Sequence, residues 1–384
     1  MTITIPGLKN ERLRFSDAQH SQIVTKDRPV FNLADGESEF SVEQIATASY
    51  RTPLGWALYL LLQILTALPR AISFRTPIFC RCNPILLSAT VKVNSGLGAC
   101  VLDTLIACDS YPKEDTKQKA ENIFLSGGGP VGNALVVISK LGVKADVIGG
   151  FGGDSAGKYL LDDFKKYGVG VENATVLKDA TSFTSYIVLA ADKASRTCVF
   201  DRGSVLDEPS NLQLSAIDDA DVLHLDGNYL ESAIAAAKYA KGKGVKVSLD
   251  AGGLYAGIER LLPYVDILIP SAEFALGLTQ ETEIAAAMSA LNAKYAPQIL
   301  VVTDGNNGGY YWENGTAVHY DSVKVKAVDT NGAGDTFHGA FIAAYCEGKN
   351  VKDCCVYASK VAAYKCMHTG ARTYELSKEI ADKL

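Results

Sequence analysis

Ten residues from Val328 to Phe337, VDTNGAGDTF, constrain this chain more than any other stretch of its sequence. They follow an apolar alternation at positions 323 to 327 that is typical of a strand, and they open an apolar helix. The small residues 332 to 334 are therefore predicted to form a strand-to-helix turn whose main-chain N–H groups are free at a helix N-terminus. A turn of this kind binds anions.

Asp335 follows this turn directly, within the first turn of the predicted helix. A carboxylate at that position ordinarily does no more than compensate the helix dipole. Beside a bound phosphate it becomes a candidate general base that accepts a proton from a hydroxyl nucleophile. A short Gly-x-Gly-Asp sequence would favour a simple helix start, whereas ten residues in this order are a far more specific signal.

The composition bounds the class of partner. The chain has 384 residues and a formal net charge of -6, so it has no basic excess with which to neutralise the phosphates of a nucleic acid. We therefore expect no nucleic-acid partner. A small anionic ligand stays open, because local N–H groups and a few basic side chains are sufficient to bind it.

Residues 1–90 differ in character from the rest of the chain and are predicted to be an extension that catalysis does not need. The run Leu54–Leu68 is apolar but is interrupted by Gln63, and it is shorter than the ~20 apolar residues that a membrane span requires. It also begins too late for an ordinary signal peptide. Three interpretations of this segment remain open: a targeting or membrane-associated segment, a packed helical appendage, or sequence foreign to the catalytic domain. We expect the protein to be cytoplasmic.

From residue 90 onward the pattern alternates between strands and helices, which predicts a mostly parallel sheet with helices on both faces. Val91–Val101 is predicted to be the first strand. Alternating residues predict hairpins at 183–200 and 310–320. Short apolar runs predict buried strands at 145–148, 222–225, 245–249, 267–269 and 299–303. Helices are predicted at 134–140, 156–167, 230–242, 283–294 and 351–366.

Two other glycine-rich stretches imitate phosphate-binding motifs. Residues 127–132 satisfy G-x-G-x-x-G, with Asp154 further along, as in a dinucleotide site. Pro130, however, stiffens the loop that would have to approach a pyrophosphate. Residues 152–159 nearly match a P-loop, but Tyr159 cannot offer the short hydroxyl that magnesium requires there. Neither stretch is therefore expected to bind a nucleotide phosphate.

The order and separation of two motifs resemble the ribokinase/PfkB family of carbohydrate kinases. The first motif is Gly128-Gly129 followed by Asn133, and it continues to Gly153-Asp154; the second is the run from 329 to 337. The resemblance covers residues 91–384. It implies a ribokinase-like three-layer α/β/α domain with a mostly parallel central sheet, and a small β-sheet lid formed near 104–126 and 183–203.

The resemblance also implies roles for individual residues. Asp335 would be the catalytic base, and the N–H groups of Gly332, Ala333 and Gly334 would hold the transferring phosphoryl group. The substrate side would comprise Asp103, Gly128, Gly129, Asn133 and Asp226. Read as residues alone, Asp103 has the alternative of capping a turn, Asn133 that of capping its helix, and Asp226 that of belonging to an Asx turn.

On the nucleotide side the resemblance implies Thr303, Gly305, Asn331 and Gly370. ATP and Mg²⁺ are the expected cofactors, with K⁺ as a further candidate that Asp329 would bind. Family members commonly carry Asn-x-x-Glu in a magnesium-associated network, whereas this chain has Ser271-Ala272-Glu273-Phe274. Glu273 is therefore expected to reach the metal only through water.

The predicted reaction is ATP-dependent phosphorylation of a primary hydroxyl of a small sugar, either ribose or a ketose such as fructose. Two alternatives from the same family are a nucleoside kinase and a sugar-phosphate kinase, the latter with Arg202 as a phosphate partner. An alternative of another class is a pseudokinase that binds sugar or nucleotide without turnover. A homodimer formed through the lid is a further expectation.

Overall fold

A computed structural model describes residues 93–192 and 195–384, together with five short strands nearer the N-terminus. The chain divides into two compact units, Met1–Val91 and Lys92–Leu384. Among the strands described in the first unit, β1 pairs with β4 and β2 pairs with both β3 and β5, and these pairs are antiparallel. These strands are β1 (Thr2–Thr4), β2 (Arg12–Asp17), β3 (Ser21–Thr25), β4 (Val30–Asn32) and β5 (Ser38–Phe40). The apolar run Leu54–Leu68 lies outside the described residues.

The second unit alternates strands with helices, as the sequence pattern predicts. Its strands are β6 (Val93–Leu97), β7 (Val101–Cys108), β8 (Asn122–Gly128), β9 (Lys144–Val147), β10 (Gly149–Gly152), β11 (Ala174–Leu177), β12 (Thr184–Ala190), β13 (Ser195–Asp201), β14 (Val222–Leu225), β15 (Lys246–Ala251), β16 (Ile267–Pro270), β17 (Ile299–Thr303), β18 (Gly309–Glu313) and β19 (Thr316–Tyr320). Its helices are α1 (Pro130–Lys140), α2 (Ser155–Lys166), α3 (Leu230–Lys243), α4 (Ala272–Thr279), α5 (Ile284–Tyr295), α6 (Ala333–Cys346), α7 (Val351–Cys366) and α8 (Lys378–Ala381).

An eight-stranded sheet forms the centre of this unit, in the order β19-β18-β17-β16-β15-β14-β6-β9. The strands from β17 to β9 are parallel, and the β18–β19 hairpin adds an antiparallel edge. Side chains of α3, α4 and α5 share one hydrophobic cluster on one face of the sheet. Side chains of α1, α6 and α7 fill the cluster on the other face. The result is the predicted three-layer α/β/α arrangement with a mostly parallel sheet.

A separate four-stranded sheet, here called the small sheet, has the order β13-β12-β7-β8. Its central pair β7 and β12 is parallel, and the outer pairs are antiparallel. Along β7 the side chains alternate between buried and half-buried, which gives the small sheet an inner and an outer face. Asp103, Leu105, Ser185 and Ile187 lie buried on its inner face.

The prediction of a single strand at Val91–Val101 is wrong. The segment contains β6, which belongs to the central sheet, and the first residue of β7, which belongs to the small sheet. The chain bends between them at Gly98, where an added Cβ would clash with the carboxylate of Asp226. A glycine here lets the backbone pass close to that side chain, so one apolar run serves two sheets.

The predicted strand at 323–327 is also absent from the structure, because this segment is irregular. Val323 is exposed, and no strand of the described residues pairs with this segment. The N–H groups of Val328 and Asp329 instead donate to the carbonyl of Cys366 at the end of α7, over 2.7 and 3.1 Å. The residues that enter the glycine turn are therefore held by a helix end rather than by a strand.

Candidate active site

Four acidic or polar side chains lie at the carboxyl edge of the central sheet, where ligands bind in open α/β sheets. Asp226 follows β14 directly, Asp250 lies at the end of β15, and Thr303 ends β17. Asp335 reaches this edge from the first turn of α6.

The turn before α6 has the predicted open N–H groups, with one correction. Gly332 is the N-cap residue with φ of 77°, a left-handed conformation that glycine adopts without strain. The N–H of Ala333 donates to the carbonyl of Thr330 over 3.2 Å, so this predicted donor is occupied. Among the described residues, no acceptor lies opposite the N–H groups of Gly332, Gly334 and Asp335. These three groups, here called the anion turn, face outward at a helix N-terminus.

The Asp335 carboxylate is oriented by Asn133 of α1. The Asn133 side-chain amide donates to Asp335 Oδ2 over 2.6 Å. Its carbonyl oxygen in turn accepts from Arg372 Nε at 2.9 Å, which fixes the amide orientation. The alternative that Asn133 caps α1 is excluded, because the N-cap residue is Gly129, which makes no side-chain hydrogen bond. Asn133 is a positioning residue for Asp335.

Arg372 connects the parts of this site and was not singled out in the sequence. Its side chain is fully buried, and its guanidinium also pairs with Asp163 of α2 at 3.0 Å and donates to the Gly128 carbonyl at 2.8 Å. A buried charge is tolerated when it is paired and hydrogen-bonded in this way. The only signal in the sequence was an arginine directly after the Gly370-Ala371 loop.

Asp250 is a second residue that sequence reasoning missed. Loss of hydration, followed by the negative charge of Asp226, raises the pKa of Asp250 to about 7. Loss of hydration and then the charge of Asp250 raise the pKa of Asp335 to about 7, against the opposing hydrogen bond from Asn133. Two such carboxyls lose their protons in two coupled steps. An acid at the end of a buried parallel strand, as at Asp226, was the signal in the sequence.

His338, one turn beyond Asp335 on α6, lies 3.3 Å from Asp250. Burial lowers the pKa of His338 to about 3, so its ring is neutral at physiological pH. The pair is therefore not an ion pair, and the negative charge near Asp335 is left uncompensated by this histidine.

On the substrate side the structure brings three of the predicted residues together. The Asp103 carboxylate accepts from Ser185 Oγ at 2.6 Å on the inner face of the small sheet. A Cβ at Gly128 would clash with this carboxylate, and one at Gly129, whose φ is 86°, would clash with the Ala99 carbonyl. Burial raises the pKa of Asp103 despite the bond from Ser185. Asp103 is thus a buried carboxylate against a glycine loop rather than a turn cap.

The Asp226 carboxylate accepts hydrogen bonds from three main-chain N–H groups. One of its oxygens accepts from the N–H of Asn228 at 2.9 Å, which is the Asx turn left open by the sequence. The other accepts from the N–H of Ala99 at 2.8 Å and from that of Val131 at 3.5 Å. Asp226 therefore holds the β6–β7 bend against the start of α1.

The predicted nucleotide residues lie on two separate segments. Thr303 ends β17 with its hydroxyl 3.5 Å from the Pro270 carbonyl, and Gly305 is exposed in the next turn. Asn331 and Gly370 are both bound through their N–H groups to the Asp329 carboxylate, each at 2.8 Å. The structure brings this second pair together, while within the described residues Thr303 and Gly305 make no hydrogen bond to the anion turn.

Neither predicted metal residue lies in a preformed metal site. Glu273 is exposed in the first turn of α4. Among the described residues, no group of three or more His, Cys, Asp and Glu side chains is arranged to hold a metal ion. The Asp329 oxygens proposed for K⁺ face the ammonium of Lys365, whose Nζ lies 2.7 Å from the main-chain oxygen and 3.6 Å from Oδ2. The residues around Asp329 therefore do not fit a potassium ion.

Residues 97–378 match the family described as pfkB family carbohydrate kinase. Ribokinase of Bacillus subtilis (strain 168) is 26% identical over 280 residues, which cover 72% of this chain and 93% of that protein. An ATP-dependent ribose-1-phosphate kinase of Halopiger xanaduensis is 27% identical over 283 residues, with 73% and 93% covered. The structure of Arabidopsis thaliana ribokinase complexed with ribose and ATP is similar with a TM-score of 0.67 at 24% identity, over 76% of this chain and 97% of that one.

These similarities agree with the architecture described above. The predicted family, the ribokinase-like fold and the assignment as a carbohydrate kinase are confirmed by the family match and the fold. No helix within the described residues is long and apolar enough to cross a membrane. Because the family match extends over most of its length, this chain belongs to the pfkB family of carbohydrate kinases.

Proposed function

We propose that this kinase transfers the γ-phosphoryl group of ATP to a primary hydroxyl of a small free sugar, ribose or a ketose such as fructose. The observation that carries the proposal is the pairing of the Asp335 carboxylate, oriented by Asn133 at 2.6 Å, with the open N–H groups of the anion turn. A base and an anion-binding site are thereby fixed at one helix N-terminus.

In the proposed mechanism the sugar lies between the inner face of the small sheet and the glycine loop. Asp103 and Gly128 supply the acceptor and the close backbone approach that a hydroxyl-rich ligand needs. Asp335 takes the proton of the attacking hydroxyl as the oxygen bonds to the γ-phosphorus and the bond to ADP breaks. The N–H groups of Gly332, Gly334 and Asp335 receive the charge that spreads over the transferring oxygens.

ATP would lie beside the loop that contains Thr303 and Gly305, with Asn331 nearby and Gly370 in the loop beside its adenine. Mg²⁺ keeps several waters and takes ligands from substrate phosphates, so it needs no protein cage. Glu273, exposed at the start of α4, would contact it through water. The magnesium ion would neutralise phosphate charge during transfer.

The small sheet is proposed to act as the lid of the sugar site. Asp103 and Ser185 on its inner face form a buried hydrogen-bonded pair against Gly128. Closure of such a sheet over bound sugar excludes water, so that the sugar hydroxyl rather than water receives the phosphate.

The sugar-phosphate alternative loses part of its support. The Arg202 guanidinium donates to the carbonyl and to the side-chain oxygen of Asn228, at 3.2 and 3.0 Å. An arginine engaged in this way has fewer donors left for a substrate phosphate. We therefore place a free sugar ahead of a sugar phosphate, and a nucleoside kinase remains the alternative acceptor class.

The test is a measurement of ADP release with Mg²⁺ and each of ribose, fructose, tagatose, fructose 6-phosphate, adenosine and pseudouridine. Phosphorus NMR of the product identifies the phosphorylated hydroxyl. Turnover with a free sugar at its primary hydroxyl supports the proposal. Preference for adenosine or fructose 6-phosphate would replace the substrate, and binding of ATP without turnover of any acceptor would establish the pseudokinase.

We further propose that the kinase forms a homodimer through the outer face of the small sheet. Register places Leu125, Tyr186 and Val199 in one row across the strands, and these side chains are 48%, 53% and 65% exposed. Exposed apolar side chains side by side on one sheet face are typical of an interface. Light scattering should give twice the chain mass for the wild type and the single mass for Tyr186→Glu, with Val356→Glu on α7 as the control.

The reaction would take place in the cytoplasm, where we propose that the protein resides. ATP is a substrate of this compartment, and the cysteines described by the structure are free thiols, as in a reducing environment.

A further inference from the structure

Lys365 is the least expected side chain near the anion turn. It lies in the last turn of α7 and is completely buried, so its stem cannot carry the ammonium to solvent. The helix presents a buried stripe at Cys354, Ala358 and Val361, and Lys365 continues this stripe. A lysine at a core position must be paired to remain charged.

The partner of this ammonium is Asp329, which the family resemblance had suggested for a monovalent cation. Lys365 Nζ donates to the Asp329 main-chain oxygen at 2.7 Å and lies 3.6 Å from Oδ2 of the same residue. Burial lowers the pKa of Lys365, and the charges of Asp329 and Asp335 oppose that shift. A potassium ion would need the same oxygens and would be repelled by the ammonium.

Asp329 connects Lys365 to the anion turn through hydrogen bonds of its carboxylate. Its Oδ1 accepts from the N–H of Asn331, the residue before Gly332, and its Oδ2 accepts from the N–H of Gly370. The neighbouring Ala371 lies against Gly332 so closely that an added Cβ would be 2.8 Å from its own. A cation on Asp329 therefore fixes both segments that shape the turn.

We propose that the Lys365 ammonium is a tethered cation that takes the place of a bound potassium ion behind the anion turn and makes the kinase independent of K⁺. The inference rests on the proposed phosphoryl transfer. Lys365 touches neither substrate, so it is a positioning residue. Its ammonium holds Asp329 in place through the contacts described above, and Asp329 holds the backbone that presents Gly332 and Gly334.

The experiment compares wild type with Lys365→Met in KCl and in tetramethylammonium chloride at equal ionic strength. Turnover of the wild type is expected to be the same in both salts. Lys365→Met keeps the length of the stem but frees the Asp329 oxygens, and its kcat should fall about 100-fold in tetramethylammonium. Potassium should raise the kcat of Lys365→Met about tenfold above its value in tetramethylammonium, since K⁺ can now occupy the position of the missing ammonium. Lys352→Met, an exposed lysine on the same helix, is the matched control and should behave as wild type in both salts.

Thermal unfolding without substrate gives a second readout that does not depend on turnover. Binding of K⁺ to the native state raises the midpoint, so potassium should raise the midpoint of Lys365→Met and leave that of the wild type unchanged. Failure of the proposed function would appear as absence of turnover in every salt, and the two midpoints would still decide the role of Lys365. Potassium activation or stabilisation of the wild type would overturn the inference, as would a folded Lys365→Met that ignores potassium. If Lys365→Met does not fold, the wild-type comparison alone decides.

Discussion

Asn133 and Asp335 are separated by 202 positions in the sequence, yet 2.6 Å separates the side-chain nitrogen of one from a carboxylate oxygen of the other. The bond joins the N-terminal part of α1 to that of α6, whose side chains share the hydrophobic cluster beneath the site. Helix packing thus sets the position of the proposed base.

Replacing Asp335 by Asn should lower kcat by about 10²- to 10⁴-fold, because an amide cannot accept the proton of the attacking hydroxyl. Binding of ATP and sugar, measured by calorimetry, should stay close to wild type, since the side chain keeps its size. Asp162→Asn, which removes an exposed carboxylate from α2, should leave kcat unchanged. Turnover of Asp335→Asn near the wild-type rate would remove Asp335 from its role as base.

The pH dependence of kcat/KM should report the ionisation of Asp335. A base works only when deprotonated, so activity should decline as pH falls through about 7, the raised pKa of this carboxyl. In Asp250→Asn one negative charge beside Asp335 is removed, and the acidic limb should move to lower pH. An acidic limb near that of an ordinary carboxyl in the wild type, or one that Asp250→Asn leaves in place, would contradict the proposed coupling.

The ionisation of Asp335 that activates the enzyme should also lower the free energy of unfolding as pH rises. A carboxyl with a raised pKa in the native state loses its proton more readily in the unfolded chain, so stability falls as pH rises from about 4 to about 7. Asp335→Asn should therefore be more stable than wild type at pH 8 and similar to it at pH 3.5. Urea denaturation at the two pH values measures this, and equal differences at both would refute it.

Arg372→Met should lower the free energy of unfolding by about 3–5 kcal/mol, because it leaves the Asp163 carboxylate, whose side chain is only 10% exposed, without its partner. Arg260→Met is the matched comparison, since Arg260 pairs with Glu231 on the surface and both side chains are about half exposed. This control should change stability little. Similar losses in the two variants would show that the buried arginine has no special role.

A chain that begins at Val91 should fold and phosphorylate its sugar with kcat and KM within about twofold of the full-length values, because one domain contains the whole proposed site. Removal of residues 1–97 is the contrasting variant, since it deletes β6 from between β14 and β9. That protein should not fold. Circular dichroism and the kinase assay distinguish the cases, and a folded but inactive chain from Val91 would assign a catalytic role to the extension.

Long, regular patterns could be predicted from sequence. Helix α7 runs from Val351 to Cys366 as predicted, because its apolar stripe has helical spacing and Asn350 caps it. The hairpins and the buried parallel strands also lie where the alternation of residues indicates. Short apolar runs were ambiguous: Val91–Val101 contains residues of two sheets, and periodicity does not reveal which partner a strand will pair with.

The anion turn and Asp335 could be predicted because they are contiguous in the sequence. The residues that hold them in position could not be predicted, because they are far apart in the sequence. Arg372, Asp163 and Asn133 meet only after two helices, α1 and α2, and the loop after α7 have packed together. No local spacing marks such a set. Lys365 did leave a trace, since a lysine in an apolar helical stripe must find a buried partner, but the sequence does not say which one.

The bend between β6 and β7 has a consequence for how this enzyme can be altered. Gly98 to Cys100 join a strand of the central sheet to a strand of the small sheet, and Asp226 holds the N–H of Ala99 within that joint. The small sheet, which we propose as the lid, and the central sheet are thus joined here by three residues of continuous chain rather than by a long linker. A design that replaces the small sheet by a different lid would therefore have to retain Gly98, Ala99 and Asp226. Sugar selectivity and lid closure would then change together.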